Sequence, residues 1–93
     1  MNRRLLQSPA FIRTARRVLK RSPHFDEAIR IALQMLSEDA FHPTLKTHEL
    51  KGDLSGRWAS SVAYDLRVVF RLVQHENEEA ILLMSIGTHD EVY

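Results

Sequence analysis

The sequence predicts an α+β domain: a short opening strand and a two-helix hairpin packed on a mostly antiparallel sheet of four to five strands. Three observations carry this. Two amphipathic helical stripes lie before residue 40, a strict two-residue alternation runs through Tyr64–Val73 (YDLRVVFRLV), and an apolar run, AILLMSI, fills Ala80–Ile86. Helices early and strands late give the order β-α-α-β-β-β-β. Ninety-three residues suit one domain, spanning 1–93, with a modest core.

Each element has a local reason. Arg4–Gln7, RLLQ, is short and apolar and stops at Ser8-Pro9, so it reads as the opening strand. Ser8 suits an N-cap and Pro9 the first helical position. Phe11, Ile12, Ala15, Val18 and Leu19 then form one apolar stripe, predicting a helix over Pro9–Lys20. Arg21-Ser22-Pro23 repeats the punctuation, with Ser22 as cap. Phe25, Ala28, Ile29, Ala32, Leu33 and Leu36 give a second stripe, so a second helix runs from about Pro23 to Glu38. Asp39–Leu45 contains Pro43 and reads as a loop, Lys46–Lys51 as a short edge strand, and Gly52–Gly56 as a turn.

Trp58–Ala63 is then a strand, followed by the central one. On Tyr64–Val73, Leu66, Val68, Phe70 and Leu72 face the core, while Asp65, Arg67, Val69 and Arg71 face outward. Same-face neighbours on a strand sit about 7 Å apart, so this face offers a carboxylate and two guanidinium groups on a rigid support. Gln74–Glu79 is polar and connects to Ala80–Ile86, whose apolar residues on both faces predict cover on both sides. Gly87–Tyr93, GTHDEVY, closes the chain.

Composition excludes several classes. Without Cys there is no disulfide framework, thiolate metal site or Cys nucleophile. No apolar run approaches the roughly 20 residues that cross a bilayer, and MNRRLLQSPAF lacks the apolar segment of a signal peptide. The expected location is cytoplasmic, with no membrane partner. Net charge is +1 but uneven: residues 1–30 hold eight Lys/Arg against two acids, and residues 61–93 hold two against six. Arg13, Arg16, Arg17, Lys20 and Arg21 lie on or just beyond the polar face of the first helix. They form either a solvated face or a contact for a polyanion or an acidic protein.

Of five histidines, His24, His42 and His75 fall in helix-start or loop positions and read as exposed. His48 precedes the glycine turn and His89 follows the last strand. If sequential strands pair, both could reach the part of the sheet that displays Asp65 and Arg67. Two imidazoles, a carboxylate and a guanidinium suffice to cleave RNA without a metal. One imidazole takes the 2′-hydroxyl proton, a second group protonates the leaving 5′-oxygen, Arg holds the phosphate, and Asp65 is either a base or the carboxylate that orients and charges an imidazole. Zinc on His48, Asp65 and His89 is a competing arrangement, but no close His pair or HExxH supports it. Phosphate loops, nucleophile elbows and dinucleotide fingerprints do not occur. Phe70 is core. Trp58 suits packing better than stacking, and Tyr93 could stack on a base or pin the C-terminus.

Taken together, KTHELKG, YDLRVVFRL and ILLMSIGTHDEVY resemble the RelE superfamily of bacterial toxins, and its YafQ branch above all. The resemblance covers essentially the whole chain. It implies the toxin of a type II toxin–antitoxin pair: a ribosome-dependent, metal-independent endoribonuclease (an mRNA interferase) that cuts mRNA in the ribosomal A site and needs no cofactor. His48 then corresponds to the first catalytic His, Asp65 to the site carboxylate and His89 to the general acid. Tyr93 corresponds to a nucleotide-placing aromatic, and Arg67 to a phosphate-contacting Arg. The basic residues Arg13, Arg16, Arg17, Lys20 and Arg21 would touch ribosomal RNA. Implied partners are a cognate antitoxin, in a hetero-oligomeric complex, and the ribosome with its mRNA. The chain departs from the branch at Ser61, where another His is expected. The alternative within the fold is a ParE-like toxin that binds DNA gyrase and has no nuclease site.

Overall fold

The computed structural model describes residues 2–92. The elements are β1 (Arg4–Gln7), α1 (Pro9–Arg21), α2 (Asp26–Glu38), β2 (His48–Glu49), β3 (Trp58–Ala63), β4 (Leu66–His75), β5 (Glu78–Gly87) and α3 (His89–Val92), with single 3₁₀ turns at Pro23–Phe25, Pro43–Leu45 and Gly52–Leu54. The five strands make one sheet in the order β1-β5-β4-β3-β2, so β4 is the middle strand. β1 pairs with β5 in parallel and the other three pairings are antiparallel. This is the α+β arrangement that the sequence predicts.

α1 begins as its sequence requires. The Ser8 hydroxyl accepts the Phe11 N–H at 3.0 Å and donates to the Met84 carbonyl at 3.2 Å, so one side chain both starts the helix and fastens it to β5. Thr14 adds a second fastening. Its Oγ1 donates to the Ala10 carbonyl and accepts the Ile86 N–H at 3.1 Å. That N–H lies just beyond the point where the β4–β5 register shifts, between Val69 and Phe70 on β4. The last residues of β5 are therefore held from above by the helix.

The core lies between the helices and one sheet face. Phe11, Ile29, Ala32 and Leu36 meet Val68, Phe70, Ile81, Leu83 and Ile86. Trp58 packs at its margin, its ring edge-on to Phe41 at 5.3 Å, so it is a packing residue as expected. The opposite face carries a smaller cluster, in which Leu50, Ala59 and Val69 are joined by Leu54, Met84 and Val92. Val69 faces outward from the main core yet is 2% exposed for this reason.

Several expectations need correction. Ser22 is no side-chain cap for the second helix. Its N–H closes α1 onto the Val18 carbonyl, and a 3₁₀ turn precedes α2. Tyr64 and Asp65 are not strand residues but a two-residue turn between β3 and β4, with Asp65 at φ 54°. β4 and β5 extend further than the sequence predicts, to a two-residue turn at Glu76-Asn77 in which both residues have positive φ, the geometry a tight hairpin favours. β5 is covered by α1 on one side and only by the small cluster on the other.

Candidate active site

The site grows from three chain segments at one end of the sheet. The first is the β3–β4 turn. Ala63 pairs with Leu66, leaving Tyr64 and Asp65 to make the reversal, and an irregularity between Ser61 and Ala63 bends the edge. Asp tolerates the left-handed backbone that this turn needs better than most residues. Arg67 follows, cross-strand from Ser61, with its guanidinium 3.4 Å from the Ala63 carbonyl.

The second segment leaves β5 at Gly87 and enters α3. Three backbone N–H groups at the start of this short helix find side-chain acceptors: Thr88 N–H donates to Glu91 Oε1 at 2.9 Å, His89 N–H to Asp65 Oδ1 at 3.3 Å, and Glu91 N–H to Thr88 Oγ1 at 3.3 Å. The Thr88/Glu91 exchange is a capping box. The Asp65 contact is the decisive one for the site, because it ties the turn before the middle strand to the residue that carries the C-terminal imidazole. The His89 ring lies 3.5 Å through Nδ1 from Asp90.

The third segment is the loop into β2. Thr47 Oγ1 lies 2.6 Å from both the Ala40 carbonyl and the buried Ser60 hydroxyl. The carbonyl can only accept, so Thr47 donates to it and Ser60 donates to Thr47. This link seats the strand that carries His48. His48 Nδ1 lies 3.1 Å from the Lys46 carbonyl. A hydrogen bond there requires the proton on Nδ1, which makes Nε2 the basic nitrogen of the neutral ring. His48 pairs with Ala59, and Ala59 with Val69, so all three share the sheet face that displays Arg67.

An open cleft of about 610 Å³ lies between these segments, lined by Thr44, Lys46, Ser61, Ala63, Tyr64, Asp65, Arg67 and His89. It brings together three of the expected residues, Asp65, Arg67 and His89. His48 stands outside the lining, on the same face at edge strand β2. Tyr93 lies outside the described residues. Arg13, Arg16, Arg17, Lys20 and Arg21 are all exposed along α1. Arg17 and Arg21 line a smaller cavity that α1 shares with Thr88, Glu91 and Val92, and Arg21 pairs with Glu91 at 3.4 Å. The basic helix face thus reaches the element that carries His89.

Four lining residues, Thr44, Lys46, Ala63 and Tyr64, are not marked as site residues by the sequence. Lys46, the first residue of KTHELKG, enters the cleft from a left-handed position (φ 51°) at the end of the Pro43–Leu45 turn, and nothing in that motif gives it a role. Tyr64, 97% exposed, reads in the sequence as a strand residue; the Tyr-Asp pair ahead of the apolar alternation is the only signal of a turn. Among the described residues, no group of three or more His, Cys, Asp or Glu could hold a metal ion, so the zinc arrangement of His48, Asp65 and His89 is not formed. Nor is any helix among them long and apolar enough to cross a membrane.

A parallel first strand on an antiparallel meander, with two helices on one face, is a fold that several solved bacterial toxins share. YafQ from Escherichia coli BL21(DE3) superposes with a TM-score of 0.79 at 18% identity, over 98% of each chain. The E. coli DinJ–YafQ toxin–antitoxin complex matches with a TM-score of 0.77 at 19% identity, over 100% of this chain and 99% of that one. A metal-bound toxin from Helicobacter pylori matches with a TM-score of 0.77 at 25% identity, over the full length of both chains. A comparison with curated proteins gives no match. The profile of the YafQ family, described as bacterial toxin of type II toxin–antitoxin system, matches residues 3–93. The chain belongs to that family.

Proposed function

We propose that this toxin is an endoribonuclease that cuts mRNA in the ribosomal A site by acid–base chemistry of its own side chains. The observation that carries the reading is the 3.3 Å contact from the His89 backbone to Asp65, at the rim of a cleft that also holds Arg67 and Lys46. His48 Nε2 removes the proton from a ribose 2′-hydroxyl. The 2′-oxygen attacks the adjacent phosphorus, forming a 2′,3′-cyclic phosphate as the bond to the 5′-oxygen breaks. Protonated His89 gives its proton to that 5′-oxygen, so proton count and charge balance over the step. Arg67 and Lys46 offset the charge that builds on the phosphoryl oxygens. Asp65 acts through the His89 backbone and is a positioning residue. Tyr93, four residues beyond His89 in the chain, supports the nucleotide.

The arginine-rich face of α1 supplies contacts to ribosomal RNA, where each neutralised phosphate adds salt-sensitive affinity. The cognate antitoxin is an acidic, partly disordered chain that covers this toxin as a hetero-oligomer, a counterpart of the E. coli DinJ–YafQ toxin–antitoxin complex. The protein acts in the cytoplasm, where ribosomes are.

Induced expression with primer extension tests this. The proposal expects growth arrest with discrete cuts in a translated message, and none in the same message with its start codon removed. Arrest without cuts, unchanged in His89→Ala and accompanied by gyrase-linked DNA damage, would overturn it in favour of the ParE-like alternative.

A further inference from the structure

We infer that Glu91 is a positioning residue for His89, working through the capping box rather than through substrate. The inference rests on the nuclease reading of His89 and adds a residue to it. Four residues cannot hold a helix by themselves, since a first turn fixes many torsions for few hydrogen bonds. α3 is held instead by side-chain contacts, and the Glu91 carboxylate makes two of them. Glu91 accepts from Thr88 N–H at 2.9 Å through Oε1, meets Arg21 at 3.4 Å through Oε2, and its own N–H donates to Thr88 Oγ1 at 3.3 Å.

Gly87 is fitted to this arrangement. A Cβ there would stand 2.9 Å from Glu91 Oε1 and 3.1 Å from Glu91 Cβ, so a side chain at residue 87 would crowd the carboxylate where it folds over the end of β5. Hydrogen bonding from Thr88 lowers the Glu91 pKa, burial opposes this, and Arg21 and Arg17 assist it. Glu91 thereby joins three parts: the end of β5, the basic helix α1, and the turn on which His89 sits. Asp65 holds His89 from the strand side, and Glu91 holds the same turn from the helix side. Neither function nor resemblance calls for an acid at position 91, which looks like one more solvated charge in THDEVY.

The test compares Glu91→Ala with Glu91→Gln. Glutamine keeps a capping oxygen and loses only the negative charge that pairs with Arg21. Cleavage of a translated message is followed as kcat and KM, alongside amide hydrogen exchange of Thr88 and His89. Removing the cap should lower kcat about tenfold in Glu91→Ala, with KM within about twofold. The Thr88 and His89 amides should lose protection while those of β4 keep theirs, and Glu91→Gln should restore most of both. Should Glu91→Ala fail to fold, Thr88→Ser against Thr88→Val removes the other half of the box and reads the same way. Wild-type kcat in Glu91→Ala, a change confined to KM, or equal failure of the Gln variant would each overturn the assignment. Absence of cutting by the wild-type protein would overturn it through the nuclease reading itself, with the exchange data then still reporting whether the cap exists.

Discussion

Replacing Asp65 separates position from charge at the site. The residue does two measurable things: it occupies a left-handed turn at φ 54°, and its Oδ1 accepts the His89 N–H at 3.3 Å. Asparagine can do both, because it tolerates that backbone and keeps an acceptor oxygen. Alanine can do neither. An ordinary side chain in the left-handed region costs roughly 1–2 kcal/mol. Removing one hydrogen bond at an exposed helix start adds about 0.5–1 kcal/mol. Asp65→Ala should therefore lose about 1.5–3 kcal/mol, and Asp65→Asn less than about 0.5. With a urea slope of about 1–2 kcal/mol/M for a domain this small, the unfolding midpoint of the Ala variant should fall by about 1 M or more. If Asp65 works by holding His89, Asp65→Asn should also keep cleavage within about threefold, a barrier change below about 1 kcal/mol. Asp65→Ala as stable as wild type would refute the turn-and-cap argument. Asp65→Asn folded but inactive would refute the positioning role and make the charge itself essential.

Three further outcomes follow from the same structure. Ser8→Ala removes the cap of α1 and its tie to the Met84 carbonyl. It should cost about 1–2 kcal/mol, read as a fall in Tm of roughly 4–8 °C per kcal/mol by calorimetry. Arg13→Ala with Arg16→Ala should leave Tm unchanged and weaken ribosome binding. The plot of log K against log salt should become shallower by about 0.7–0.9 for each phosphate that the variant no longer neutralises, measured by filter binding over a salt series. Glu91 has a folded-state pKa below its ordinary 4.5, so its contribution to stability is fully present above that pH and fades as pH falls through the lower folded value. Urea unfolding between about pH 6 and 3 should therefore show a smaller acid-induced fall in stability in Glu91→Gln than in wild type.

Much of the fold is legible in the sequence because local and global signals agree. Ser8-Pro9 marks the start of α1, and the alternation of Leu66, Val68, Phe70 and Leu72 marks β4 and its buried face. The misreadings have physical causes. Ser22-Pro23 copies the cap motif of Ser8-Pro9, but Pro23 opens a 3₁₀ turn, and spacing cannot tell one tight turn from the other. Tyr64-Asp65 continues the alternation by chance, so the reversal shows only in a left-handed backbone that sequence does not display. Along β5, apolar residues on both faces suggest full cover, whereas Met84 is served by the small cluster of Leu50, Ala59 and Val69. In the site, residue types and motif point to Asp65, Arg67 and His89 directly. The Thr88-x-x-Glu91 spacing is the local signature of a capping box, but only the fold shows Lys46 lining the cleft from the end of the Pro43–Leu45 turn and Glu91 reaching past Gly87 to Arg21 of α1.

The measurement closest to the central claim uses purified toxin on a ribosomal complex that holds one defined codon in the A site. The mRNA carries either ribose or 2′-deoxyribose at the nucleotide 5′ to the cut. The account predicts cleavage of the ribose message to a 2′,3′-cyclic phosphate and a 5′-hydroxyl, no cleavage of the deoxy message, and none of either by His89→Ala. Equal cutting of both messages, or products ending in a 3′-hydroxyl and a 5′-phosphate, would contradict it.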